Sequence, residues 1–167
     1  MNLNLLALFI LFLPAFTALM AGKSIFWPLS EKGRNDFAMG ITTGAMWLCA
    51  VFSWIVFYHI GWQNAQPLNI HLWTWFEAQN YTVSFGILLD KLTATMLIVV
   101  TTVSACVHQY SYSYMEDDPD KPRFFAYLSF FTFAMLMLVT APNLLQMFLG
   151  WEGVGVASYL LIGFWHK

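Results

Sequence analysis

Glu152 is the side chain in this sequence most costly to place, because it stands inside an apolar run from 143 to 165 whose centre reads Phe148-Leu149-Gly150-Trp151-Glu152-Gly153-Val154-Gly155. Helical rise puts its carboxylate about 14 Å along a segment of about 34 Å, near the midplane of a bilayer that such a segment would span. Ionised and unpaired at that depth, a carboxylate costs about 2.5 to 3.5 kcal/mol or more. Acids of this kind are retained where a partner or a water-filled cavity compensates, so proton or ion handling is the first expectation for Glu152. Burial disfavours the charged form of a carboxyl and a nearby lysine favours it. A lysine that approaches and recedes would therefore load and unload one proton. The plainer alternative is a permanently neutral or salt-bridged Glu152 that only fixes helix packing.

Small residues surround this acid. Gly150, Gly153 and Ala157 fall on one helical stripe and form a packing surface of the small-xxx-small type. Glu152 shares a second stripe with Gly155, Tyr159 and Gly163, where the glycines leave room for water beside the carboxylate.

Other chemistries find little support. His59, His71, His108 and His166 are scattered, and His59 and His108 sit near predicted helix ends, so each reads as a satisfied interfacial histidine rather than a metal or haem ligand. Cys49 and Cys106 lie apart in apolar segments and read as filler. Gly153-Val154-Gly155 lacks the preceding strand and the third glycine of a nucleotide loop. With no Ser/His/Asp set, phosphate loop or paired carboxylate, covalent and hydride chemistry are not expected of this chain.

The elements that must position Glu152 follow from composition. Apolar residues make up 59% of the chain and charged residues 10%, against about 25% charged in soluble domains. The fold class expected is all-α integral membrane, with spanning helices at about 4–22, 37–61, 88–111, 124–141 and 143–165 in a single membrane domain over 1–167. A net charge of −2, with basic residues scattered in short loops, argues against nucleic acid as a partner and leaves the lipid bilayer as the medium. The first apolar run has no cation before it, Lys23 being the first, so it reads as a retained helix and not a removable signal; an Arg-rich import leader is also missing. Lys23, Lys32, Arg34, Lys121, Arg123 and Lys167 fall on one side and only Lys91 on the other. The positive-inside rule then predicts an outside N-terminus and a C-terminus on the cytoplasmic or matrix side.

The outer loop from 62 to 86 alternates like a β-hairpin: Leu68, Ile70 and Leu72, a turn over Glu77-Ala78-Gln79-Asn80, then Tyr81, Val83 and Phe85. Its apolar face suits either a neighbouring chain or its own helix ends. Asp90 reads as the N-cap of the following helix. The charged loop 114–123 reads as a solvated connector stiffened by Pro119 and Pro122.

From Asp90 onward the sequence resembles the largest antiporter-like membrane subunit of proton-pumping NADH:quinone oxidoreductase, respiratory complex I, known as chain L or subunit 5. The stretches that carry the resemblance are Leu89-Asp90-Lys91-Leu92-Thr93, His108-Gln109-Tyr110-Ser111-Tyr112-Ser113-Tyr114-Met115, Pro122-Arg123-Phe124-Phe125-Ala126-Tyr127-Leu128, and the run from Gly150 to Trp165. Sodium/proton antiporter subunits are similar here, but Gly153-Val154-Gly155 after the Trp-Glu favours complex I. The first 86 residues fit the family's variable start without identifying it. Pro142 stands where the family often has an acid.

The resemblance implies a partial antiporter-like fold and a translocase subunit of the respiratory chain, in which electron transport from NADH to ubiquinone drives proton transport. It implies that Glu152 is the family's fifth-helix glutamate, working with a lysine on a broken seventh helix, and that Gly150, Gly153, Gly155 and Ala157 pack near it. It places NADH, FMN, iron-sulfur clusters and quinone on other subunits, with no cofactor on this chain. It implies other membrane-arm subunits as partners, and a mitochondrial inner or bacterial plasma membrane as the location. This chain's own lysines lie in loops or at ends, and only the first two helices of the family's helix four-to-eight repeat are present. A split subunit, with a second chain supplying the remaining helices and the partner lysine, is therefore expected. The alternatives are a structural or assembly module of the membrane arm, and a sodium/proton antiporter-type subunit.

Overall fold

Four of the five helices begin where a short polar side chain meets an otherwise orphaned amide. A computed structural model describes residues 2–28, 30–63, 66–78 and 81–165, with the backbone alone at 78 and 81. In it α1 spans Leu3–Ser24, α2 Glu31–Phe57, α3 Lys91–Tyr114, α4 Lys121–Val139 and α5 Leu144–Ile162. Asn2, Ser30, Asp90 and Asn143 accept first-turn amides of α1, α2, α3 and α5 at 3.2, 3.2, 2.7 and 2.9 Å. α2 continues as one π turn over Tyr58–Trp62. All five helices are long and apolar enough to cross a membrane. Between α2 and α3 lies an antiparallel hairpin, β1 Leu68–Ala78 and β2 Tyr81–Leu89. This is the expected all-α membrane architecture with its hairpin; Gln79 and Asn80 of the anticipated turn, like His166 and Lys167, lie outside the described residues.

The apolar pattern predicts α3 from 88, but Leu88 and Leu89 belong to β2. Burial at alternate positions explains this: Phe85, Ile87 and Leu89 all point into the core, and extended backbone at Asp90 then turns the chain into α3. Two register shifts, between His71 and Trp73 and between Thr74 and Phe76, re-aim the β1 side chains. Trp73 consequently stacks flat on Phe85, ring centroids 4.4 Å apart and planes at 3°. The base of the hairpin closes over the bundle's own helix ends, while Trp73, Trp75 and Phe76 toward its tip stay exposed.

α4 is the hub, packed against α1, α2, α3 and α5. At the hairpin end the core joins Ile10, Ile60, Ile87, Leu97 and Leu136 from five different segments. At the opposite end Ala21, Ala38 and Ala126 meet, so that α1, α2 and α4 approach closely through small residues. The charged loop before α4 is more than a solvated connector. Trp165 Nε1 donates to Asp118 Oδ2 at 2.8 Å, and Arg123 pairs with Asp120 at 3.5 Å, donates to the Phe164 carbonyl at 3.2 Å and lies 4.6 Å over the Phe164 ring. The loop thus clasps the end of α5.

Candidate functional site: the face of α5 that carries Glu152

Glu152 lies near the middle of α5 and is exposed. α5 is the least covered of the membrane-length helices, with 17% of its most apolar stretch buried against 33% to 44% in the others. One stripe makes its contact with α4. A Cβ on Gly150 would fall 2.7 Å from the Cα and N of Leu138, one on Gly153 3.1 Å from the Cβ of Ala134, and Ala157 is fully buried. These positions let two backbones meet where any larger residue would hold them apart. Glu152 lies on the other side with Gly155 and Tyr159, all three exposed, and a Cβ on Gly155 would meet nothing within 4 Å.

The helix is held in this orientation from its N-terminal end, beside the hairpin. β2 is paired on one edge only, and the other edge is satisfied by α4 and α5 in place of a third strand. The Leu88 amide donates to the Thr140 carbonyl at 2.8 Å. Asn143 Nδ2 donates to the Ser84 carbonyl at 2.6 Å. Gln146, fully buried, accepts from the Gly86 amide through Oε1 and donates to the Gly86 carbonyl through Nε2, both at 2.9 Å. Gly86 has to be glycine: a Cβ there would sit 2.6 Å from the Ile70 carbonyl oxygen and 3.4 Å from Pro142 Cγ.

Among the described residues Glu152 makes no hydrogen bond or ion pair. Lys23 ends α1, Lys32 and Lys121 lie in the first turns of α2 and α4, and Lys91 opens α3. All four are at helix ends, far from mid-span. No group of three or more His, Cys, Asp or Glu among the described residues is placed to hold a metal.

His108 departs from the sequence reading. It is fully buried between α3 and α4 instead of lying at an interface with solvent. Its Nδ1 lies 2.8 Å from the Ser104 carbonyl and its Nε2 3.2 Å from Ser129 Oγ. Nδ1 donates to the Ser104 carbonyl, and Nε2 is paired with the Ser129 hydroxyl. Ser104 also hydrogen-bonds Thr132, extending a polar seam along the α3/α4 contact. The signal for this seam was present as Ser104, His108 and Ser111 at helical spacing. Gln146, the other residue missed, lies on the stripe of Gly150, Gly153 and Ala157, and its partner Gly86 is 60 residues away in the chain, so no local signal marks it.

Two stretches of the chain match known family models. Residues 75–125 match the family described as NADH-ubiquinone oxidoreductase (complex I), chain 5 N-terminus. Residues 141–167, which include Glu152, match the family described as NADH:quinone oxidoreductase/Mrp antiporter, TM. The chain is 54% identical over 166 residues to NADH-quinone oxidoreductase subunit L of Rhodobacter capsulatus, an overlap of 95% of this chain and 22% of that protein. It is 50% identical over 159 residues to NADH-ubiquinone oxidoreductase chain 5 of Chondrus crispus, covering 95% of this chain and 23% of the relative. Subunit L of Rickettsia bellii is 45% identical over 162 residues, 97% of this chain and 24% of its own length. The chain therefore spans less than a quarter of the length of these relatives.

Proposed function

This chain belongs to the subunit L, or chain 5, family of the NADH:quinone oxidoreductases, and from that premise we propose that it forms part of the membrane arm of complex I, where Glu152 takes up and releases protons. The observation that carries the proposal is the exposure of Glu152 at mid-depth on the least covered helix. A charged carboxylate on a lipid-facing surface at mid-depth costs about 2.5 to 3.5 kcal/mol or more. Further helices must cover that face, and the resemblance supplies their chemistry: a lysine on a broken seventh helix, brought opposite Glu152 by the part of the subunit that the relatives have and the matched segment lacks. That part is carried by a second polypeptide or by a continuation of this one. The single membrane domain contributes the acid and its rigid support, and redox work is done elsewhere in the complex. NADH, FMN, iron-sulfur clusters and quinone are bound by other subunits.

Orientation follows from charge. Lys23, Lys32, Arg34, Lys121 and Arg123 gather at the end away from the hairpin, and this end faces the bacterial cytoplasm or mitochondrial matrix. The N-terminus and hairpin then face outward.

The test is Glu152→Gln in the intact complex reconstituted in vesicles, with proton uptake measured against NADH oxidised. Proton movement per NADH should fall, because the amide keeps the shape and loses the titration. An unchanged ratio would overturn the proton role and leave a structural or assembly role in the membrane arm. Mass spectrometry of the same complex identifies the polypeptide that carries the partner lysine.

A further inference from the structure

The junction of α4 and α5 meets β2, a strand about 60 residues earlier in the chain, at the outer end of α5. The free edge of β2 offers the Ser84 carbonyl, both backbone groups of Gly86 and the Leu88 amide, and each is met by a group from the end of α4 or the first turn of α5. Gln146 is the centre of this arrangement. Its side-chain amide has the same donor and acceptor as a peptide unit, so it pairs with Gly86 as a neighbouring strand would. Because Gln146 is fully buried, neither bond has water as a substitute.

We propose that Gln146 is a positioning residue for Glu152, fixing the rotation of α5 relative to the hairpin so that the two move as one body. The proposal rests on the proton role given above. Gln146 precedes Glu152 by about 9 Å of helical rise, within one rigid stretch of helix. Gln146, Gly150 and Gly153 lie on the stripe that faces α4, and Glu152 lies off it. One residue of helical rotation is about 100°. A turn of α5 large enough to re-aim Glu152 would carry Gln146 away from Gly86 and break both bonds. The hairpin is thus the reference that sets the direction of the acid, and displacement of the hairpin is passed to it through two hydrogen bonds.

The experiment uses the intact complex with Gln146→Leu, which keeps most of the volume and removes donor and acceptor. Two readouts are taken beside Glu152→Gln: protons moved per NADH, and the carboxyl band of Glu152 in the redox-induced infrared difference spectrum, assigned by its loss in Glu152→Gln. Gln146→Leu is expected to lower the ratio severalfold and to shift that band, since the acid then meets a different environment. An assembled Gln146→Leu complex with the wild-type ratio and band position, beside a Glu152→Gln complex that fails to pump, overturns the positioning role alone. A Glu152→Gln complex that pumps normally overturns the underlying proton role and this inference with it. If Gln146→Leu does not assemble, hydrogen exchange on the wild-type complex decides. The Gly86 and Leu88 amides should exchange as slowly as those within α4, and exchange as fast as at Thr74 overturns the proposal.

Discussion

Gly150 and Gly155 are the same residue on the same helix and meet opposite demands. At Gly150 any side chain must displace the backbone of Leu138, which has no rotamer to yield. Gly150→Ala should therefore separate α4 from α5 and lower stability by about 1 to 3 kcal/mol, the usual range for overpacking; thermal denaturation of the purified complex measures it. At Gly155 the chain's own packing leaves open space. Gly155→Ala should be harmless unless a covering helix comes close to Glu152, so loss of assembled complex in this variant would reveal such a helix. Glu152 was legible in the sequence because a carboxylate in an apolar run violates its surroundings. Gln146 was not, because an amide near a helix end is unremarkable until the free edge of β2 is placed beside it.

The elements were legible to different degrees for physical reasons. Apolar runs of membrane length specify helices whatever their neighbours, and the caps at Asp90 and Asn143 are local chemistry. The change from β2 to α3 was displaced from its expected place because Ile87 and Leu89 are as apolar as helix residues, and only burial on a strand face distinguishes them. The α3/α4 seam likewise depends on two helices meeting in register. Its central residue makes a prediction: His108→Ala should open a void and leave Ser129 without its ring partner, at a cost of about 2 to 4 kcal/mol. A fall in the denaturation midpoint of the complex would show this, and restored packing in His108→Gln would separate the hydrogen bond from the volume.

At the scale of the whole molecule, the hairpin and the charged loops define opposite ends. Thr74→Cys at the exposed part of the hairpin should react with a membrane-impermeant maleimide added outside sealed cells or vesicles, and Asp117→Cys only after the inner face is opened. The reverse pattern would invert the proposed orientation. Both ends of α5 are secured to segments made earlier: Gln146 to Gly86, 60 residues before it, and Phe164 to Arg123, 41 residues before it. The free edge of β2 thus has its Leu88 amide met from the end of α4 and its Ser84 and Gly86 groups met only by Asn143 and Gln146, which come later in the chain. The helix bearing the acid follows the hairpin and α4 in the chain, and each of its ends docks on a segment that precedes it. Docked at both ends on the same bundle, α5 keeps its small residues against α4 and Glu152 on the face turned away from it.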